Sequence, residues 1–215
     1  MSLKTKIDGL KEIWQFDNRW WLILTKIFFP SEKLHIYRYK SIEILNDHAA
    51  GDANGAREVL LSPMYRRFLP KMDLQGAINV LDLGGNNGGF SLLLKTEGLK
   101  LKKVVSVELN PKTYSRLRFN LERNLDCEIV TLNSALCGES HWLEVSLGAG
   151  SVADNIYEDI KNSEGKSYRI KGLTFDEIYT AHFAKETIDV CKIDVEGAEF
   201  EVLLSENHNE IINCR

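Results

Sequence analysis

Between residues 78 and 195 the apolar positions fall in short β-rich runs separated by segments of helical spacing. The runs are INVLDL (78–83), KVVSVEL (103–109), CEIVTLNSAL (127–136) and ETIDVCKIDV (186–195). Near-continuous Val, Ile and Leu over such lengths predicts strands buried on both faces. The first run leads into GGNNGG and a helix expected over Phe90–Lys95; the second leads into Asn-Pro and a helix expected over Lys112–Arg123. A further helix through EGAEFEVLL is expected after the fourth run. HWLEVSL (141–147) and KSYRIKGLT (166–174) read as additional strands, with GAGSVAD between them as a turn-rich loop. Strand, turn and helix repeated in this order predict a doubly wound, mostly parallel α/β sheet.

Upstream the rhythm differs. Residues 1 to about 30 read as helical, and LHIYRYKSIEIL (34–45) as two short strands turning at Lys40-Ser41. DHAAGDANG (47–55) is a loop, followed by a helix expected over Arg57–Phe68 and ending near Pro70. The expected division is an N-terminal extension of helix, hairpin and helix over 1–75, and a core domain over 76–215. Within the extension, WWLILTKIFFP (20–30) places eight apolar residues around Thr25 and Lys26. That is too short to span a bilayer, which takes ~20 apolar residues, so no transmembrane segment is expected. An amphipathic helix folded onto the domain is the reading; Trp14, Trp20 and Trp21 keep open a weak interfacial or partner contact through residues 13–30.

Composition narrows the partners. The chain is 44% hydrophobic and 27% charged, with a formal net charge of −4, so it lacks the clustered basic charge that nucleic acid requires. A small-molecule substrate fits better. Cys127, Cys137, Cys191 and Cys214 are scattered without a C-x-x-C pair, which gives no zinc ligand set, no metal site and no redox dithiol. The N-terminus lacks a secretory signal pattern, so a cytoplasmic location is expected.

LDLGGNNGG (81–89) carries the candidate chemistry. Ligands bind beyond the carboxyl ends of strands in such sheets, and a glycine-rich turn lets main-chain N–H groups approach them. A dinucleotide fingerprint would need glycine at 86, where the chain has Asn86, which counts against a nicotinamide-dependent oxidoreductase. Glu108, ending the second run, is the independent check, because a carboxylate accepts from both vicinal ribose hydroxyls.

Asp82, Gly84, Asn86 and Gly88 fit D-x-G-x-N-x-G, and this resembles the loop of class I S-adenosylmethionine methyltransferases. More specifically, VLDLGGNNGGF, VELNPKTYSRLRFNLERN, LNSALCG, LTFDEIY and KIDVEGAEFEVL occur in the order seen in the FkbM-like methyltransferase family, over residues 55 to about 210. Gly85 stands where that family usually has Ala, and Leu109 where it usually has Pro.

The resemblance implies a Rossmann-like class I methyltransferase sheet and S-adenosylmethionine as cofactor. It would place Asp82, Gly84, Gly85, Asn86, Asn87 and Gly88 on the methionine side, Glu108 and Leu109 at the ribose, and Asn133, Ser134 and Ala135 beside the adenine. Asp194, at the end of the fourth strand, would contact the cofactor or act as a base on an acceptor hydroxyl. Lys192 shares its face and would form an ion pair; Glu196 would cap the following helix, and Glu199 shares its face. Tyr65 is a secondary site candidate. The fourth strand lacks the N-P-P-Y pattern of amino-group methylation, so the expected reaction is O-methylation of a small metabolite, sugar or polyketide-type acceptor.

Family sheets resemble seven strands in the order 3-2-1-4-5-7-6, whereas this sequence reaches its end before a fifth. The expectation is truncation; the alternatives are that the hairpin, the two extra segments after residue 140 or a second chain of a homo-oligomer covers the edge of the fourth strand. A cofactor-binding but catalytically incomplete module is the corresponding alternative function.

Overall fold

The computed structural model describes residues 9–29, 31, 33–48, 58–147, 166–184 and 186–195. Eight strands are seen among them: β1 (Leu34–Tyr39), β2 (Ile42–Asp47), β3 (Ala77–Leu83), β4 (Lys100–Glu108), β5 (Glu128–Leu136), β6 (Trp142–Leu147), β7 (Lys166–Leu173) and β8 (Val190–Ile193). The helices are α1 (Arg19–Phe28), α2 (Pro63–Arg66), α3 (Gly89–Thr96), α4 (Pro111–Asn124) and α5 (Phe175–His182).

Strands β3 to β8 form one sheet in the order β6-β7-β5-β4-β3-β8, parallel throughout except for β6 against β7. Alternation along β3 sorts the core into two layers. Ile78 and Val80 pack with Leu92, Leu93, Leu117 and Leu121 from α3 and α4. Leu81 and Leu83 face the other way, onto Phe175, Ile178 and Phe183 at α5. Helices on both faces of a parallel sheet, with reversal of strand order at β3, make this a Rossmann-like doubly wound fold.

Several expectations change. β6 and β7 extend the sheet beyond β5, on the side opposite β8, and the hairpin packs on α4 rather than on a sheet edge. Neither covers the outer edge of β8. Asn120 and Asn124, one turn apart on α4, present amides to β2 as a neighbouring strand would. The Leu45 and Glu43 N–H groups donate to their Oδ1 atoms at 2.7 and 2.8 Å, and their Nδ2 atoms donate back to the same two residues' carbonyls at 3.0 and 2.7 Å.

The helix expected over 57–68 breaks at Ser62. Residues 58–61 are helical, then the Ser62 hydroxyl accepts the Met64 N–H at 3.1 Å and Pro63 begins α2. Proline has no N–H for the preceding turn and drives the residue before it to extended backbone, so a single helix cannot pass through. Among the described residues, the N-terminal helix likewise divides into a helical stretch over 9–13 and α1. α5 was not anticipated. Its signal is the capping box Thr174-x-x-Glu177, in which the Glu177 N–H donates to Thr174 Oγ1 at 3.1 Å and the Thr174 N–H to Glu177 Oε2 at 2.9 Å. GAGSVAD, EGAEFEVLL, Glu196 and Glu199 lie outside the described residues.

Candidate active site

The turn between β3 and α3 is held by β4 beside it. The N–H groups of Gly84 and Gly85 both donate to the Val107 carbonyl, at 3.0 and 2.8 Å. Gly84 has φ +76°, and a Cβ there would collide with the carbonyl oxygen of Asp194; one on Gly85 would collide with Ser106 Oγ. The protein's own neighbouring strands therefore demand these glycines, where the sequence pattern suggested ligand approach. Asn86 is also left-handed, with φ +48°, a conformation that asparagine tolerates better than most residues. Its Oδ1 accepts the Asn87 N–H at 2.7 Å. The Asn87 side chain is committed elsewhere, donating to Asn46 Oδ1 at 2.6 Å.

At the carboxyl ends of β3 and β8, register places Asp82 beside Lys192, and alternation brings Asp194 to the same face. Lys192 Nζ lies 3.4 Å from Asp82 Oδ1 and 3.3 Å from Asp194 Oδ2, and donates to the Gly84 carbonyl at 2.9 Å. Asp82 is fully buried; its Oδ2 accepts from Ser91 Oγ at 3.3 Å, while Oδ1 is within ion-pair range of Lys192 but forms no hydrogen bond. Burial pushes the Asp82 carboxyl above its ordinary pKa, against the opposing pull of Lys192 and Ser91. Burial also works against the Lys192 ammonium, but the carboxylates of Asp82 and Asp194 outweigh it and raise its pKa.

Tyr65 reaches this cluster from α2. Its ring meets Phe90 edge-on at 5.2 Å and its hydroxyl donates to Asp194 Oδ2 at 3.3 Å. Burial is the main cause that raises the phenol's pKa, so it stays a donor. The Asp194 side chain is 57% exposed, which makes it the member of the cluster open to an incoming molecule.

The β4 side is a second acidic corner. Glu108 Oε2 accepts the Asn86 N–H at 2.9 Å and its Oε1 the Asn110 N–H at 2.8 Å. Asn110 in turn caps α4, its Oδ1 accepting from the N–H groups of Lys112 and Thr113. Asn133 Nδ2 donates to the carbonyls of Glu108 and Leu109, at 2.8 and 2.9 Å, so it shapes the exit of β4. Leu109 packs against the Val145 and Ile170 cluster. Ser134 and Ala135 are buried and pair with Lys171 and Gly172 of β7.

Sequence reasoning missed the asparagines that link the hairpin to the turn. Beyond its bonds to β2, Asn120 Nδ2 donates to the Asn87 carbonyl at 2.8 Å, completing a path from Asn46 through Asn87 to α4. Asn120, Asn124 and Lys95 read as helix-surface residues by type alone; Lys95 Nζ in fact donates to the Asn124 carbonyl. Among the described residues, no group of three or more His, Cys, Asp or Glu is placed to hold a metal ion.

Residues 82–215, more than half of the chain, match the Methyltransferase FkbM domain. The chain belongs to the FkbM methyltransferase family. The match begins at Asp82 itself and so contains the glycine turn, Glu108 and Asp194. The matched family is one of methyltransferases, which counts against the oxidoreductase reading. Among solved structures, a chain from the complex of the Haloferax volcanii Trm112 methyltransferase activator with a methyltransferase is similar at 16% identity and a TM-score of 0.31 over 38% of this chain. The PH0226 protein from Pyrococcus horikoshii OT3 is similar at 25% identity and a TM-score of 0.26 over 36% of it. These matches span 35% and 34% of the solved chains, and overlap that limited carries no argument about function. No curated protein matches the chain.

Proposed function

We propose that this FkbM-domain protein transfers a methyl group from S-adenosylmethionine to a hydroxyl of a small molecule, a sugar or polyketide-type acceptor, in the cytoplasm. The observation that carries this reading is the placement of three carboxylates around one glycine turn. Asp82 and Asp194 flank Lys192 on one side of it, and Glu108 holds Asn86 on the other.

The site fits such a cofactor on the structure's own terms. The buried Asp82 Oδ1, ion-paired with Lys192 at 3.4 Å but accepting no hydrogen bond, suits the amino-acid ammonium, because a carboxylate oxygen can accept from a second charged donor. Glu108 suits the ribose hydroxyls, and Asn133, Ser134 and Ala135 the base; Gly84 to Gly88 form the floor between them. When bound, the cofactor supplies an electrophilic methyl group on a sulfonium.

The chain's part is to position the acceptor and take its proton. Tyr65 and Lys192 both engage Asp194 Oδ2, so the acceptor proton is assigned to Oδ1 of the same carboxylate. Holding the carboxylate still leaves only the acceptor to be oriented, which is where most of the rate of an in-line transfer arises.

Calorimetric titration with S-adenosylhomocysteine tests the cofactor site: Asp82→Ala is expected to lower affinity on the order of tenfold or more. Asp194→Asn is expected to bind it with little change but to slow methylation of a hydroxyl acceptor by about 100-fold or more. Tyr65→Phe, which keeps the Phe90 contact, is expected to lower kcat several-fold while leaving the melting temperature within about 2 °C. Full affinity in Asp82→Ala, or full turnover in Asp194→Asn, overturns these roles.

A further inference from the structure

Asn87 stands between two left-handed residues of the glycine turn, Asn86 at φ +48° and Gly88 at φ +91°. Left-handed backbone at a residue other than glycine is costly and persists only where the surroundings fix it. The two halves of the turn are fixed from different sides. Residues 84–86 are held by the sheet: the Gly84 and Gly85 N–H groups donate to Val107, the Asn86 N–H to Glu108, and Lys192 to the Gly84 carbonyl. Asn87 is held from the hairpin and α4. Its Nδ2 donates to Asn46 Oδ1 at 2.6 Å, and its carbonyl accepts from Asn120 Nδ2 at 2.8 Å.

Asn46 is itself firmly placed. It follows Leu45 on β2, whose N–H and carbonyl are both paired with the Asn120 amide. Asn46, Asn87 and Asn120 are each at most 1% exposed, so water offers no substitute partner if one of these bonds is broken. Asn46 Nδ2 lies 3.5 Å from the Ile44 carbonyl, at the limit of a hydrogen bond. Among the described residues, the bond to Asn87 is therefore the stronger of the two that its side chain makes. β1 and β2 also lie outside residues 82–215, the part of the chain that matches the FkbM domain. The turn inside that domain is thus completed by a residue outside it.

We propose that Asn46 is a positioning residue for the cofactor: through Asn87 it sets the Asn86–Gly88 main chain in the shape that receives S-adenosylmethionine. The hairpin β1–β2 then forms part of the cofactor site without touching the cofactor. This rests on the cofactor reading given above. A floor already in its bound shape spares binding the cost of ordering it. Asn87, which the sequence pattern places at the cofactor, serves it through its main chain, its side chain being spent on Asn46.

The experiment is calorimetric titration of the full chain with S-adenosylhomocysteine in Asn46→Ala, Asn87→Ala and the double variant. Asn46→Ala is expected to lower affinity on the order of tenfold. Asn87→Ala should lower it by a similar factor and the double variant by little more, because both substitutions remove the same bond. Asn124→Ala breaks the Glu43 pairs at the other end of the same hairpin. It is expected to lower the melting temperature yet keep affinity within about twofold. Asn46→Asp keeps an oxygen facing the Asn87 amide and is expected to recover most of the affinity, a readout that survives if the alanine variant does not fold. Unchanged affinity in Asn46→Ala overturns the proposal. So do additive losses in the double variant, a loss in Asn124→Ala equal to that in Asn46→Ala, or an Asn46→Asp variant that binds no better than Asn87→Ala. Wild-type protein that does not bind S-adenosylhomocysteine overturns the cofactor reading and this proposal with it. Wild-type binding that is lost in Asp82→Ala but kept in Asn46→Ala overturns this proposal alone.

Discussion

The main-chain N–H of Asn86 and the carboxylate of Glu108 are joined at 2.9 Å, so the turn after β3 and the exit of β4 move as one unit. Glu108 also accepts the Asn110 N–H, and Asn110 caps α4. A carboxylate accepting two main-chain donors fixes a loop as well as offering itself to a ligand. Glu108→Ala is therefore expected to lower stability by about 1–3 kcal/mol, read by urea denaturation, and to weaken S-adenosylhomocysteine binding in calorimetry. Unchanged stability in that variant would show that the turn holds its shape without Glu108.

Gly84 and Gly98 separate two reasons for a glycine. Both have positive φ, +76° and +83°, but an added Cβ at Gly98 meets nothing within 4 Å, whereas at Gly84 it strikes the Asp194 carbonyl oxygen. Gly98→Ala should cost only the backbone term, about 1–2 kcal/mol. Gly84→Ala should cost about 3 kcal/mol or more, because β8 must also move. Equal midpoints of denaturation for the two variants would place the strain in φ alone.

Asn120 tests how the hairpin is held. It is fully buried, accepts the Leu45 N–H and donates to the carbonyls of Leu45 and Asn87. Asn120→Ala leaves those groups without their partner and is expected to cost about 2–4 kcal/mol. Hydrogen exchange at the Leu45 amide should accelerate more than exchange at Val105 in the sheet centre. Asn120→Asp should be worse, since a carboxylate would face two carbonyls.

How much of this was legible follows from the range of each interaction. β3, β4, β5, α3 and α4 could be read because apolar runs and Asn-Pro or glycine turns are local signals, and the same runs put Asp82, Gly84, Glu108 and Asp194 at strand ends, where the structure has them. Lys192 was placed on the Asp194 face by alternation. Its contact with Asp82 needed the β3–β8 register, which no local pattern carries. α5 was missed although Thr174 and Glu177 spell its cap, because the preceding strand signal ran through Thr174. The break at Ser62-Pro63 was legible in principle and was outweighed by helical spacing on both sides. The position of β6 and β7, and the pairing of β2 with Asn120 and Asn124, depend on contacts across roughly 35 to 80 residues, where polar residue type gives no direction.

Lys192 gives the pH-dependent prediction. Its ammonium, 8% exposed, stands between the buried Asp82 and Asp194. Because its folded pKa is raised, its contribution to stability is complete below the ordinary lysine value of ~10.4 and is lost as pH rises through the folded value. Asp82 is also raised, so the folded state holds that proton more tightly than the unfolded chain does. Stability therefore increases as pH falls through the folded Asp82 value toward ~3.9. Lys192→Met removes the cation that limits the Asp82 shift and leaves a buried carboxylate unpaired. At about pH 7 the variant is expected to be less stable by about 3–5 kcal/mol, with the deficit narrowing as the pH falls and Asp82 takes up its proton. Adding Asp82→Asn should recover much of the loss and flatten the pH dependence. Denaturation of the three proteins from about pH 7 down toward the ordinary carboxylate value of ~3.9 reads the difference directly, and a deficit that stays constant throughout would show that Asp82 is not the group left uncompensated.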